Sequence, residues 1–377
     1  MVNNEPIRVL QVLHIMNRGG AEAMIMNLYR KIERTKVQFD FLVHSQEQGL
    51  FEDEIREMGG RIFRVRPFRG YNVISYYRDC KSFFKAHPEI KVVHGHLGSC
   101  AAYYLKAAKE QGIFTIAHSH SAGSIRNFYD LSYRIFSFPT RYVADQLFGC
   151  STEAGIARYG RKMVESARYR NFNNAVDSCL FHFNEEQRWL VRHTLNVADD
   201  ESLIGTVGRL TPQKNPKRIF ELFRYLVLNN SNVKCLWVGT GEMESYYRDL
   251  IKAEGLEDRV IMTGVRSNIP GIMHALDCML FPSLWEGLPV SVIESQAANL
   301  PTVLADTISK EVQISALLCW HSLDEDDSVW AADVMRLAQV HCGHRSEYSF
   351  DMAKTGYDIN ETVKWLMNFY EKNSKQV

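Results

Sequence analysis

One rhythm, repeated along the chain, constrains the fold most: short apolar runs that end in glycine-containing turns and lead into segments of helical periodicity. Arg8-Val-Leu-Gln-Val-Leu-His14 reads as a buried strand, Asn17-Arg-Gly-Gly20 as a turn, and Ala21, Met24, Ile25, Leu28 and Ile32 as one face of a helix. Further strands are predicted at 38–43, 61–65, 92–94 and 114–117. A second series starts with Leu203–Val207, a loop over 208–216 and a helix over 217–228. It continues with a strand at 233–238, the turn Gly239-Thr-Gly241, a helix from Met243, strands at 260–263 and 278–281, and a last strand at 301–304. Strands alternating with helices predict parallel sheets, so the fold class is α/β with two Rossmann-like, doubly wound domains. The 377 residues agree, because a single core rarely grows past about 250–300 residues. The domains are expected at 1–175 and 185–356, with an aperiodic linker within 169–184. A final helix from Tyr357 has the spacing to pack on either domain. Sheets of this kind bind ligands beyond the carboxyl ends of their strands, so function is sought in the loops after strands and in a cleft between the domains.

Composition narrows the class. Apolar residues make up 46% and charged residues 23%, which excludes disorder and low complexity. No run approaches the roughly 18 apolar residues of a spanning helix, and the short N-terminal run has no cleavage site, so a cytoplasmic protein is expected. The eight cysteines stand singly, without a Cys-x-x-Cys pair, and read as buried thiols with no metal. Net charge is zero, yet residues 1–175 hold 25 Lys+Arg against 16 Asp+Glu, or +9, and the rest carries −9. Arg61, Arg64, Arg66 and Arg69 form the densest cluster. It is either a solvated face or a place where the protein meets an anionic acceptor or the anionic inner face of a membrane. No nucleic-acid partner is expected.

The strongest chemical signal is Phe281-Pro-Ser-Leu-Trp-Glu286-Gly-Leu-Pro-Val-Ser-Val-Ile-Glu294. Pro289 suits the start of a helix, which leaves the amides of Gly287 and Leu288 and the positive end of the helix free for a phosphate. Glu294 lies too far along to cap that helix and suits the vicinal hydroxyls of a ribose or sugar. The loop Gly208-Arg209-Leu-Thr-Pro-Gln-Lys214-Asn-Pro216 adds two permanent cations, Arg209 for bidentate contact with phosphate oxygens and Lys214 as a point charge. Gly239 and Gly241 mark a tight turn or a nucleotide turn, and Gly19 and Gly20 allow close approach of a ligand before a helix N-terminus. His94, His96, His118 and His120 cluster after two strands. His94 and His118 are expected to be structural, and His120 to donate to a sugar hydroxyl or move a proton. Gly-x-Ser-x-Gly, Gly-x-x-x-x-Gly-Lys-Ser/Thr and His-Glu-x-x-His are all absent, so those hydrolase and phosphatase chemistries lack their signatures.

These motifs together resemble family 4 of the retaining glycosyltransferases, particularly the bacterial members that build exopolysaccharide or capsule. The resemblance rests on Gly-Arg-Leu-x-x-x-Lys-Asn, Gly-x-Gly, Phe-Pro-Ser-x-x-Glu-Gly-Leu-Pro with its second glutamate, Arg-Gly-Gly-Ala-Glu, and His-Ser-His. It implies the GT-B architecture, a final helix that returns to the first domain, and a nucleotide-sugar donor, most often a UDP-sugar, without a bound metal or other cofactor. It further implies that Arg209 and Lys214 hold the diphosphate, Glu294 the ribose and Glu286 the sugar hydroxyls. Gly19 and Gly20 would lie beside the diphosphate and His120 beside the sugar. The acceptor would be a saccharide or a lipid-linked saccharide. Asn174-Ala-Val-Asp177 departs from the family's Asn-Gly-Ile-Asp, so Ala175 fits only if its turn needs no glycine conformation. The residues leave open a non-catalytic nucleotide-sugar-binding subunit and a GT-B-like nucleotide-sugar epimerase. A nicotinamide oxidoreductase is disfavoured by the incomplete glycine fingerprint.

Overall fold

The structure, a computed structural model, describes residues 5–17, 19–120, 128–341, 345 and 351–375. Arg18 of the first turn and Cys342 lie outside the described residues. The chain divides into two compact units, residues 1–175 with 359–377, and residues 176–358.

The first unit is built on seven parallel strands: β1 (Ile7–Leu13), β2 (Val37–Val43), β3 (Ile62–Arg64), β4 (Ile90–Gly95), β5 (Phe114–Ser119), β6 (Gln146–Gly149) and β7 (Tyr169–Asn171). Their order is β3-β2-β1-β4-β5-β6-β7, which changes direction between β1 and β4. Helices cover both faces, so every residue of β2 is buried, the polar Gln38 and Asp40 included. Buried within β2, Asp40 accepts ion pairs from Arg8 (2.8 Å) and Arg61 (2.6 Å). Helix Gly20–Lys31 lays Met24, Ile25 and Leu28 on the sheet. The final helix, Ile359–Ser374, belongs to this unit and packs on β1, β4 and helix Gly20–Lys31 through Val363, Leu366 and Tyr370.

The second unit repeats the plan with six parallel strands: β8 (Ser202–Val207), β9 (Val233–Val238), β10 (Val260–Gly264), β11 (Cys278–Phe281), β12 (Thr302–Ala305) and β13 (Leu318–His321), ordered β10-β9-β8-β11-β12-β13. Helix Pro216–Asn229 starts sharply because Pro216 needs no partner at its first position. Asn215, in the left-handed region at φ 55°, caps it by accepting from the Arg218 amide.

Three expectations need correcting. The sheets run past their predicted last members, adding β6, β7 and β13. The stretch expected to be a linker holds an edge strand, β7, and a short helix, Ser178–Phe181, so the chain passes between units at 175–176 and returns at 358–359. The cysteines are also less uniform than predicted. Cys80, Cys100, Cys150, Cys235 and Cys278 are buried, Cys179 is exposed and Cys319 is half-buried. Ala175 does not adopt a positive φ, so its turn needs no glycine.

Candidate active site

In the second unit, the loops after β8, β9 and β11 converge. Lys214 Nζ pairs with Glu286 Oε1 at 2.7 Å, while Gln213 Nε2 donates to Glu286 Oε2 and to the Trp285 carbonyl, both at 3.0 Å. The Leu284 amide donates to the Gln213 carbonyl (2.9 Å), and Lys214 Nζ lies 4.5 Å from the centre of the Phe281 ring. The two predicted loops are thus stitched into one surface, and Glu286 does not cap the helix Val290–Ala297, which has no side-chain cap. Gln213 is the residue the sequence reading missed. A glutamine in a turn carries no charge signal, and only the fold brings it to Glu286. The amides of Gly287 and Leu288 have no acceptor among the described residues, and Arg209 is exposed without an ion pair there. A free cation and two free amides beside a helix start suit an anionic oxygen-rich ligand.

The glycine pair after β9 has a packing reason. A Cβ on Gly239, at φ 135°, would collide with the Gly208 carbonyl oxygen, and one on Gly241 would collide with the Leu210 backbone. The Leu210 amide donates to the Thr240 carbonyl at 3.0 Å. Gly239 and Gly241 therefore support the loop that carries Arg209 from beneath.

Glu294 lies in the second turn of helix Val290–Ala297, and among the described residues its carboxyl group has no hydrogen-bond or ion-pair partner. Burial raises its pKa from 4.5 to about 7. Charging it in the fold is therefore costly, and ligand hydroxyls would relieve that cost. Because the folded pKa exceeds the unfolded one, the stability that Glu294 contributes is complete below pH 4.5 and is lost as pH rises through about 7.

In the first unit, β4 and β5 end in four stacked histidines. His94 Nδ1 shares a hydrogen bond with the Tyr370 hydroxyl (2.7 Å) and His94 Nε2 one with His118 Nδ1 (3.2 Å). His96 bonds to His120 Nε2 (2.8 Å) and to Gln11 Oε1 (2.8 Å). Burial lowers the pKa of His94 to about 3 and of His120 to about 4, so both rings are neutral near pH 7. His94 ties the sheet to the final helix through Tyr370. His120 Nδ1 is buried and has no hydrogen-bond partner among the described residues. Gly19 caps helix Gly20–Lys31, but the Glu22 carboxylate folds against it where a Cβ would stand. Gly20 has open space around it.

Known proteins match both halves of this arrangement. Residues 187–316 match the family described as glycosyl transferases group 1, and residues 18–193 match glycosyltransferase family 4. The chain is 30% identical to EpsF of Bacillus subtilis over 380 residues, which is 100% of this chain and 99% of EpsF. It is 24% identical over 308 residues to an Escherichia coli UDP-Gal:alpha-D-GlcNAc-diphosphoundecaprenol alpha-1,3-galactosyltransferase, covering 76% and 79% of the two chains. Among solved structures, HepE of Anabaena in complex with UDP superposes with a TM-score of 0.73 at 17% identity, covering 98% of each chain. With two doubly wound sheets and the Arg209, Lys214, Glu286 and Glu294 loops in place, the chain is a glycosyltransferase of the GT-B fold and belongs to glycosyltransferase family 4.

Proposed function

We propose that the protein transfers a sugar from a UDP-sugar to a saccharide or lipid-linked saccharide in bacterial surface polysaccharide synthesis, with retention of anomeric configuration and without a metal at the donor site. The observation that carries this reading is the joined loop surface of Gln213, Lys214 and Glu286 beside the free Gly287 and Leu288 amides. UDP in HepE and a diphosphoundecaprenol acceptor in the Escherichia coli relative support the donor and acceptor classes.

In this reading, Arg209, Lys214 and the helix start stabilise charge on the departing diphosphate, which grows as the glycosidic bond breaks. Glu294 accepts from the ribose hydroxyls and Glu286 from the sugar hydroxyls. The neutral His120 donates to the sugar. The acceptor proton passes to the leaving diphosphate, and no side chain is assigned as a covalent nucleophile. Fixed cations do the work of a metal, so transfer is expected at the same rate with and without added magnesium. A strict magnesium requirement would contradict this.

The test is release of UDP and formation of product from UDP-sugars, with and without acceptors, with the anomeric configuration read by NMR. Donor isomerisation without acceptor would identify an epimerase instead. Tight UDP binding without turnover across a wide acceptor panel would identify a binding subunit.

Glu294 yields a pH prediction. Hydroxyls that donate to its carboxylate favour the ionised form, so UDP binding should release protons below about pH 7 and weaken as pH falls toward 4.5. Calorimetry in buffers of different ionisation enthalpy measures the release. Glu294→Gln should abolish it, and pH-independent affinity of the unsubstituted protein would refute the ribose role.

Membrane association is part of the proposal but does not rest on the arginine cluster. Arg61 pairs with Asp40 and Glu89, Arg64 with Glu52 and Arg66 with Asp79. Exposed apolar side chains more suited to a membrane stand at Tyr71 and Ile74 and at Ile135, Phe138 and Tyr142, two segments joined by the edge contact of Phe68 with Phe136 at 5.3 Å. Ile74→Glu with Ile135→Glu should abolish sedimentation with anionic vesicles. No sedimentation of the unsubstituted protein at low salt would end the membrane hypothesis.

A further inference from the structure

Away from the donor loops, the last strand of the second sheet brings three side chains of different chemistry to one point. Cys319 and His321 alternate along β13 and so project to the same side. Asp333 reaches them from helix Asp327–His341, which packs across β8, β11 and β12. Cys319 Sγ lies 3.6 Å from His321 Nε2 and 3.5 Å from Asp333 Oδ2, and His321 Nε2 lies 3.0 Å from that same oxygen. Bonds of about 2.3 Å to thiolate sulfur and about 2.0–2.2 Å to imidazole nitrogen and carboxylate oxygen, spread at the tetrahedral angle, set ligand atoms about 3.3–3.6 Å apart. Two sides of the observed triangle match that spacing and the third is slightly shorter.

The remaining polar atoms of these side chains are already held. Glu325 engages His321 Nδ1 at 2.5 Å, which turns Nε2 toward Cys319. Arg336 engages Asp333 Oδ1 through Nε (2.8 Å) and Nη2 (2.5 Å), which leaves Oδ2 on the inner side. Trp330 packs against the His321 ring with centroids 5.2 Å apart, while its indole N–H donates to the Ser322 carbonyl at 3.0 Å. A carboxylate behind a ligating imidazole and a cation behind a ligating carboxylate orient metal ligands.

We propose that Cys319, His321 and Asp333 form a zinc site, with water as the fourth ligand, that clips the edge strand β13 to helix Asp327–His341. Sulfur, nitrogen and a single carboxylate oxygen select zinc over magnesium or calcium, which prefer all-oxygen sets. Binding exchanges protons for the metal: Zn2+ replaces the Cys319 thiol proton and the proton held between His321 Nε2 and Asp333 Oδ2, and both protons are released to solvent. The site takes no part in sugar transfer and is independent of the donor reading. A second group of nitrogens within reach of one another, on His94, His96 and His118, belongs to the histidine cluster already described and competes as the place where a metal would bind.

The test uses the full chain, freed of metal by a chelator and titrated with Co2+ and then Zn2+. The expected result is one ion per chain, a thiolate-to-cobalt charge-transfer band that zinc abolishes, and a higher melting temperature with zinc. Cys319→Ser and His321→Ala should lose both the band and the zinc-induced shift. Glu325→Gln should weaken zinc binding by about 10–100-fold. Melting of each variant without metal shows whether it folds. A variant that fails to fold is replaced by Asp333→Asn, for which the same loss is expected. Absence of the charge-transfer band, binding that survives in Cys319→Ser, or binding lost only on replacing His94 and His118 would each overturn the proposal.

Discussion

Replacing Lys214 with alanine is expected to slow sugar transfer by a hundredfold or more, because a preorganised donor aimed at a developing oxyanion is commonly worth about 2.7–4 kcal/mol. Lys214 is tied to Glu286 at 2.7 Å, with its side chain 19% and that of Glu286 8% exposed, so the substitution also strands a largely buried carboxylate. A stability loss of about 1–3 kcal/mol should accompany the kinetic one. The two effects separate in the double variant Lys214→Ala with Glu286→Gln. It removes the stranded charge and should regain most of the melting temperature without regaining turnover. Turnover in the double variant equal to that of Glu286→Gln alone would show that Lys214 acts only by positioning its partner, and full activity in the Lys214→Ala single variant would remove it from the mechanism. Steady-state rates at saturating donor, with melting curves on the same samples, decide between these outcomes.

Replacing Asp277 with alanine is expected to cost about 3–5 kcal/mol of folding stability, the usual penalty for breaking a buried ion pair on one side. Asp277 stands at the entrance to β11, 4% exposed. It accepts from Arg188 at 2.6 Å, from Arg192 at 3.0 Å and from the Leu203 amide at 2.7 Å. The two arginines come from helix Glu185–Thr194 and also donate to carbonyls at the end of helix Ile269–Ala275. One carboxylate therefore neutralises two cations and satisfies the start of β8, and its loss leaves the two cations with carbonyl acceptors only and the Leu203 amide without its carboxylate. Denaturant unfolding measures the cost, and a change below 1 kcal/mol would mean that the arginines find other partners.

Legibility in the sequence followed the length and burial of each element. β1, β2, β8 and β9 show as mainly apolar runs of six or seven residues because both of their faces are largely covered. β6 is only four residues long, β7 is a half-exposed edge, and three of the four residues of β13 are only partly buried, so none leaves a period to detect. At the donor loops, glycine and proline punctuation and the two glutamates were readable, because turn chemistry and helix starts restrict which residues can serve there. The pairing of Lys214 with Glu286 was not readable, since 72 residues separate two groups that could equally have faced a ligand.

The zinc proposal marks the same boundary. Cys319 and His321 sit two apart on a strand and Asp333 follows twelve residues later on a helix, so no ligand spacing appears in the chain. From the sequence alone came the alternation that forces parallel sheets, the loops able to carry chemistry, and the charges those loops bear. These are local properties, governed by periodicity and by backbone angles over a few residues. The tertiary structure decided which charges cancel one another, which carboxyl group lies partly buried, and which distant side chains meet. Those outcomes depend on the packing of elements far apart in the chain, and on a solvent exposure that no single segment determines.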